Sequence, residues 1–145
     1  MQGVFMSSEM FCYQCQETFN GTGCVTRGMC GKTAGVANLQ DLLIYLLKGI
    51  SFWGTRGRSM GVIHEDTDLF IAEGLFATIT NANFDEGRFV ELIEEAVKRR
   101  EALRTDAQAR CAELHNKPCP GTGPDWASWM PDRKSTRLNS SHRIR

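Results

Sequence analysis

Four cysteines, Cys12, Cys15, Cys24 and Cys30, fall within nineteen residues at the spacing C-x2-C-x8-C-x5-C, with Gly21, Gly23, Gly28 and Gly31 among or beside them. The surrounding stretch, FCYQCQETFNGTGCVTRGMCGK from Phe11 to Lys32, has almost no apolar periodicity with which to bury itself. Thiolates converging on a metal centre replace such a missing core, because ligand bonds hold what packing does not. The glycines permit positive φ and bring backbone N–H groups close to an anionic centre. An iron–sulfur cluster is the favoured reading. Structural zinc ordinarily shows two tight ligand pairs, and here only the first pair is tight. Two disulfides are allowed by count, but nothing in the sequence places the protein in an oxidising compartment. A C-x2-C redox pair of thioredoxin type wants a βαβ context that is missing here. By spacing alone, cluster, zinc and thiol chemistry all stay open.

Other residues with chemical potential have plainer readings. Cys111, His115 and Cys119 form a C-x3-H-x3-C pattern, yet Cys111 falls on a helical stretch and Cys119 between two prolines, so both read as ordinary thiols. His64 reads as a surface or capping residue. Lys32 is placed to stabilise a reduced cluster electrostatically, although a solvated lysine is the default. Trp53, Trp126 and Trp129 read as core packing rather than electron relays.

The elements that must position the cysteine loop are helical. Leu39, Leu42, Leu43, Leu46, Leu47 and Ile50 recur at helical spacing, predicting a first helix over about Leu39–Ser59. Asn38 is its expected N-cap, Gly61 its stop, and Gly54 and Gly57 points of loosening. Asp66 or Thr67 is expected to cap a second helix to about Ile79, with Leu69, Phe70, Ala72, Leu75, Phe76 and Ile79 as its buried stripe. Thr80–Asn83 reads as a turn. Asp85 then caps a third helix whose inner face is Phe89, Leu92, Ile93, Ala96, Val97 and Leu103, with Glu91, Glu95 and Lys98 to Arg110 as a solvated outer face. Short connections imply an antiparallel up-down-up bundle in an all-α chain. The organisation expected is a disordered extension (1–10), a cluster loop (11–37), a three-helix bundle (38–114) and the start of a further packed element at Trp126 and Trp129 (115–131).

The composition agrees with that scheme. The 145 residues, 41% hydrophobic, suffice for one modest core. No apolar run reaches the roughly 18–20 residues of a membrane span, and MQGVFMSSEM lacks the basic-then-apolar pattern of a secretory signal. A cytoplasmic protein with no membrane partner is expected. The formal net charge is zero, but residues 132–145 carry five basic residues and one acid, leaving 12 basic and 16 acidic residues before them. The folded part is therefore acidic, which argues against nucleic-acid binding. DRKSTRLNSSH, Asp132 to His142, resembles a translated sequencing adapter, so a non-native tail is expected over 132–145 and the natural chain is expected to continue past Pro131.

FCYQCQETF, GC, GMCGKTA and NLQDLLIYLLKGIS, followed by GLFATITNANFDEGRF, are together similar to the N-terminus of the hybrid-cluster proteins, the prismane or hydroxylamine reductase family. The resemblance covers about Met10 to Arg104, and more thinly reaches Trp129. It implies that Cys12, Cys15, Cys24 and Cys30 ligate an N-terminal [4Fe–4S] cluster, with an electron-transfer role tuned by backbone donors from the glycine-rich turns. It also implies a catalytic hybrid iron–sulfur–oxygen cluster in later domains, a redox donor protein as partner, and reduction of hydroxylamine to ammonia and water, with nitric oxide a further candidate substrate. Two other functions compete: a four-cysteine zinc-binding interaction module and a stand-alone ferredoxin-like carrier.

Overall fold

Thr33 closes the cysteine loop and opens the first helix. Its side-chain oxygen accepts from Val36 N at 3.2 Å, satisfying one of the free donors of the first turn. In this computed structural model, which describes residues 9–79, 83–119, 121 and 123–130, three helices follow. They are α1 (Ala34–Arg58), α2 (Glu65–Ala77) and α3 (Glu86–His115), with short 3-10 turns at Phe19–Gly21 and Asp125–Ala127. No strand occurs among the described residues, and the chain is all-α. The expected tail and most of the Thr80–Asn83 turn lie outside the described residues.

Helix α1 is the central rod. Val36, Leu39, Leu43, Leu46, Leu47, Ile50 and Trp53 are buried along one face, which packs along α3 and also takes α2 and the Asp125–Ala127 turn. Directions follow from the pairs that meet. Thr33 hydrogen-bonds Glu86 and Arg110 reaches the Met60 carbonyl, so α1 and α3 run the same way. Arg58 pairs with Asp68 near one end of α2, while Gly74 lies against Leu47 nearer its other end, so α2 runs back. The up-down-up bundle expected from the short connections is what forms.

Its boundaries differ from expectation for local reasons. The first helix begins at Ala34 because Thr33 caps it; Asn38 is inside the helix and donates to the Glu9 carbonyl at 3.1 Å. Gly54 and Gly57 do not loosen α1. Gly57 instead lets Val62 fold back, where an added Cβ would meet it at 3.3 Å. Helix α2 begins at Glu65, with the His64 carbonyl accepting from Thr67 N and Asp68 N at 3.0 Å. The His64 ring makes no cap and contacts Asp106 at 2.9 Å.

Two faces also differ from expectation. Only Thr67, Phe70 and Gly74 of α2 are buried; Leu69, Ala72, Leu75, Phe76 and Ile79 are exposed. A 13-residue helix packed mainly on α1 buries one narrow stripe, and the apolar excess faces outward. On α3, Arg100 is fully buried rather than part of the solvated face. Its guanidinium is held by Glu101 Oε1 at 2.8 Å, the Trp126 carbonyl at 3.5 Å and Met130 Sδ at 3.2 Å. Arg99, by contrast, reaches Asp66 at 2.9 Å, and that hydrogen bond holds the Asp66 carboxyl below its usual range. The expected cap of α3 is present, Asp85 Oδ1 accepting from Gly87 N at 2.8 Å and Arg88 N at 3.2 Å.

Helix α3 ends where Asn116 takes the left-handed conformation (φ 50°) and the chain doubles back. That reversal carries Cys119 to Cys111, with Cα atoms 5.9 Å apart, and the two form a disulfide pair rather than separate thiols. The returning chain lays the Asp125–Ala127 turn on α1, where Trp53 Nε1 donates to the Ala127 carbonyl at 2.8 Å. Trp126 meets the edge of Phe52 at 5.6 Å. The tryptophans are packing residues, as expected.

Candidate metal centre

The cysteine loop is pinned at its waist. Cys12 and Cys24 face each other across an isolated antiparallel bridge, each N–H donating to the other's carbonyl at 2.9 Å. Met10 extends this pairing to Val25 and is buried with Cys24 and Ala37, so a small apolar cluster seats the loop on the start of α1. Met10 thus belongs to the loop's foundation, not to a disordered extension. Beyond the bridge the chain turns through Phe19–Gly21, and the Tyr13 hydroxyl donates to the Gly21 carbonyl at 3.0 Å.

Glycine is required at two places. Gly23 has φ +112°, and a Cβ there would meet the Phe11 ring at 2.6 Å. Gly28 lies where a Cβ would crowd Cys30 Sγ at 3.1 Å and Lys32 Cβ at 2.9 Å. The N–H groups of Gly21, Gly28 and Gly31 are already spent on carbonyls within the loop. These three are therefore not the free backbone donors that the glycine-rich pattern implies.

Cys24 is buried, and Cys12, Cys15 and Cys30 are half-buried; none of the four is in a disulfide. The bridge brings Cys12 and Cys24 together directly. Among the described residues no three His, Cys, Asp or Glu side chains converge tightly enough to hold one metal ion. Around the loop several large apolar side chains are exposed among polar ones, Phe11, Tyr13, Phe19, Val25 and Met29 each by more than half.

The largest departure from the sequence reading is Lys32. It is 1% exposed, not solvated. Its ammonium donates to Gln40 Oε1 at 2.6 Å and Gln14 Oε1 at 2.8 Å, and lies 3.7 Å from Cys12 Sγ. Gln40 is itself buried on α1 and donates onward to the Asn83 carbonyl at 3.5 Å. Gln40 does carry a sequence signal: it lies in register with Val36, Leu43 and Leu47, a polar residue on an apolar stripe. Gln14 carries none. Next along α1, Asp41 keeps an exposed surface, yet the surrounding chain desolvates its carboxyl and pushes it up to about 6, while the Lys32 ammonium pulls it down. Thr18 Oγ1, buried in the same loop, has no hydrogen-bond partner among the described residues.

The chain belongs to the Prismane/CO dehydrogenase family, which it matches over residues 10–119. It is 53% identical over 123 residues to a hydroxylamine reductase of Petrotoga mobilis, covering 85% of this chain and 23% of that one. A hydroxylamine reductase of Desulfitobacterium hafniense is 50% identical over 123 residues, covering 85% and 22%. One of Thermoanaerobacter pseudethanolicus is 60% identical over 105 residues, covering 72% and 19%. The chain thus spans about a fifth of the length of these relatives. No helix among the described residues is long and apolar enough to cross a membrane.

Proposed function

We propose that this chain is the electron-accepting part of a hydroxylamine reductase, in which Cys12, Cys15, Cys24 and Cys30 hold a [4Fe–4S] cluster. The donor set suits that group: four cysteines outside any disulfide on one loop match the four-thiolate ligation of iron–sulfur clusters. The observation that carries the reading is the buried Lys32 ammonium. Its two closest acceptors are neutral amide oxygens, and no carboxylate among the described residues forms an ion pair with it. A buried charge persists only when something compensates it, and two acidic groups face the ammonium: the Asp41 carboxyl, which it pulls down, and the thiolate set beginning with Cys12, whose sulfur is within its hydrogen-bond reach.

When bound, the cluster supplies one-electron storage. The polypeptide's own share is to fix the ligands through the Cys12–Cys24 bridge, to seat the loop on Met10 and Ala37, and to set a positive charge against one sulfur. The remainder of such a protein would carry the hybrid iron–sulfur–oxygen cluster, which would supply the redox chemistry for reducing hydroxylamine, with two electrons and two protons, to ammonia and water. A redox donor protein in the cytoplasm supplies the electrons.

The test is anaerobic reconstitution with iron and sulfide, followed by visible absorption, EPR and metal analysis. Four irons and four sulfides per chain are expected, abolished by Cys24→Ser and kept by Cys111→Ser. Equal iron in the two variants would contradict the ligand assignment, and a colourless chain holding stoichiometric zinc would establish the zinc module instead.

A further inference from the structure

Lysine is almost never fully buried without a partner, and Lys32 is among the most completely buried large side chains of this protein. Its three ammonium protons have three acceptors on two segments: Gln14 Oε1 and Cys12 Sγ within the loop, and Gln40 Oε1 on α1. The arrangement is anchored from outside as well. Gln40 Nε2 donates to the Asn83 carbonyl, and Asn83 Oδ1 accepts from Asp85 N at 2.9 Å just before α3. The Gln40 amide oxygen therefore faces the ammonium because its amide nitrogen is engaged elsewhere. The lysine stem is packed as tightly. Gly28 leaves just enough room, since a Cβ there would stand 2.9 Å from Lys32 Cβ.

We propose that Lys32 is a positioning residue for the redox chemistry of the loop, a fixed cation that raises the reduction potential of the centre held by Cys12, Cys15, Cys24 and Cys30. This rests on the cluster reading above. Gln14 and Gln40 orient the ammonium without cancelling it, because both are neutral; a carboxylate in either place would consume the charge. Lys32 acts on the difference between redox states. One electron delivered by the donor protein adds one negative charge to the thiolate-bound centre, with no proton required. A cation at hydrogen-bond range to a ligand sulfur favours that added charge over the oxidised state, and burial keeps water and salt from screening it. The loop's own glycine N–H groups are not available for the task at Gly21, Gly28 and Gly31. The side chain takes the role that backbone donors fill elsewhere.

The experiment compares the reconstituted 145-residue chain with Lys32→Met and Gln40→Glu by EPR-monitored redox titration, with iron and sulfide measured on each sample. Lys32→Met removes the charge. Gln40→Glu keeps the shape and sets a carboxylate against the ammonium. Both variants are expected to hold the parent's iron and sulfide while their midpoints fall. The expected fall is about tenfold or more in the one-electron reduction constant, about 59 mV. A variant with full cluster content and an unmoved midpoint overturns the proposal and leaves the cluster reading standing. If Lys32→Met holds no cluster, Gln40→Glu decides by the same criterion. A parent chain that takes up no iron and sulfide removes the cluster reading, and this inference with it.

Discussion

Gly49→Ala places a methyl group where α1 meets the returning chain. Its Cβ would run into the Trp126 carbonyl oxygen and stand 2.8 Å from Arg100 Cδ. A backbone oxygen cannot swing aside as a side-chain tip can, so the Asp125–Ala127 turn must lift. Lifting it breaks the hydrogen bond from Trp53 Nε1 to the Ala127 carbonyl and leaves a buried donor unsatisfied, at a cost of about 1–3 kcal/mol. The edge contact of Trp126 on Phe52 is lost too, a further ~0.5–1.5 kcal/mol. Replacing glycine by alanine in mid-helix returns about 1 kcal/mol. The net expectation is a loss of about 1–3 kcal/mol, within the range found for overpacked cores. Gly54→Ala is the internal control. Its Cβ would meet Leu103 Cδ2 at 3.5 Å, an ordinary contact, so only the helix-propensity gain of up to about 1 kcal/mol should appear. Urea unfolding followed by tryptophan fluorescence and far-UV circular dichroism measures both. Opposite signs are expected. If Gly49→Ala stabilises the chain as Gly54→Ala does, the Asp125–Ala127 turn does not pack on α1.

Two further outcomes are expected. Asp85→Ala should cost about 1 kcal/mol by removing the acceptor of Gly87 N and Arg88 N at the start of α3; an unchanged urea midpoint would show that the cap is idle. Asp41 should titrate near 6 by carbon-detected NMR, and its midpoint should rise further in Lys32→Met, where the lowering influence of the ammonium is gone. The sign for stability follows: the folded chain keeps this proton after the unfolded chain has lost it. The contribution of Asp41 therefore favours folding at low pH and declines from about 4 up to about 6. An Asp41 midpoint that falls in Lys32→Met would contradict the placement of that charge.

Much of the bundle is legible in the sequence because helices are specified by near neighbours. The leucine period of α1, the Asp85 cap and the inner face of α3 depend on residues three or four apart, and each stands as the pattern implies. The cap of α1 is Thr33 rather than Asn38 because both are good local caps, and only the folded loop engages Asn38 with Glu9. Burial on α2 is not legible, because an apolar stripe states what a helix can bury and not what is available to cover it. Leu75 and Phe76 have the right residue type and lack a covering element among the described residues.

The sequence by itself determined the helical class, the cysteine spacing and the family resemblance, since each is written in residues close together along the chain or in matched motifs. Tertiary structure alone decided the environment of the charges. Lys32 is enclosed because Gln14, 18 residues before it, and Gln40, 8 residues after it, meet at its tip. Arg100 is interior because Trp126, 26 residues on, closes over it. A charged side chain enters a protein interior only where partners from elsewhere replace its water, and no local pattern records which partners will arrive.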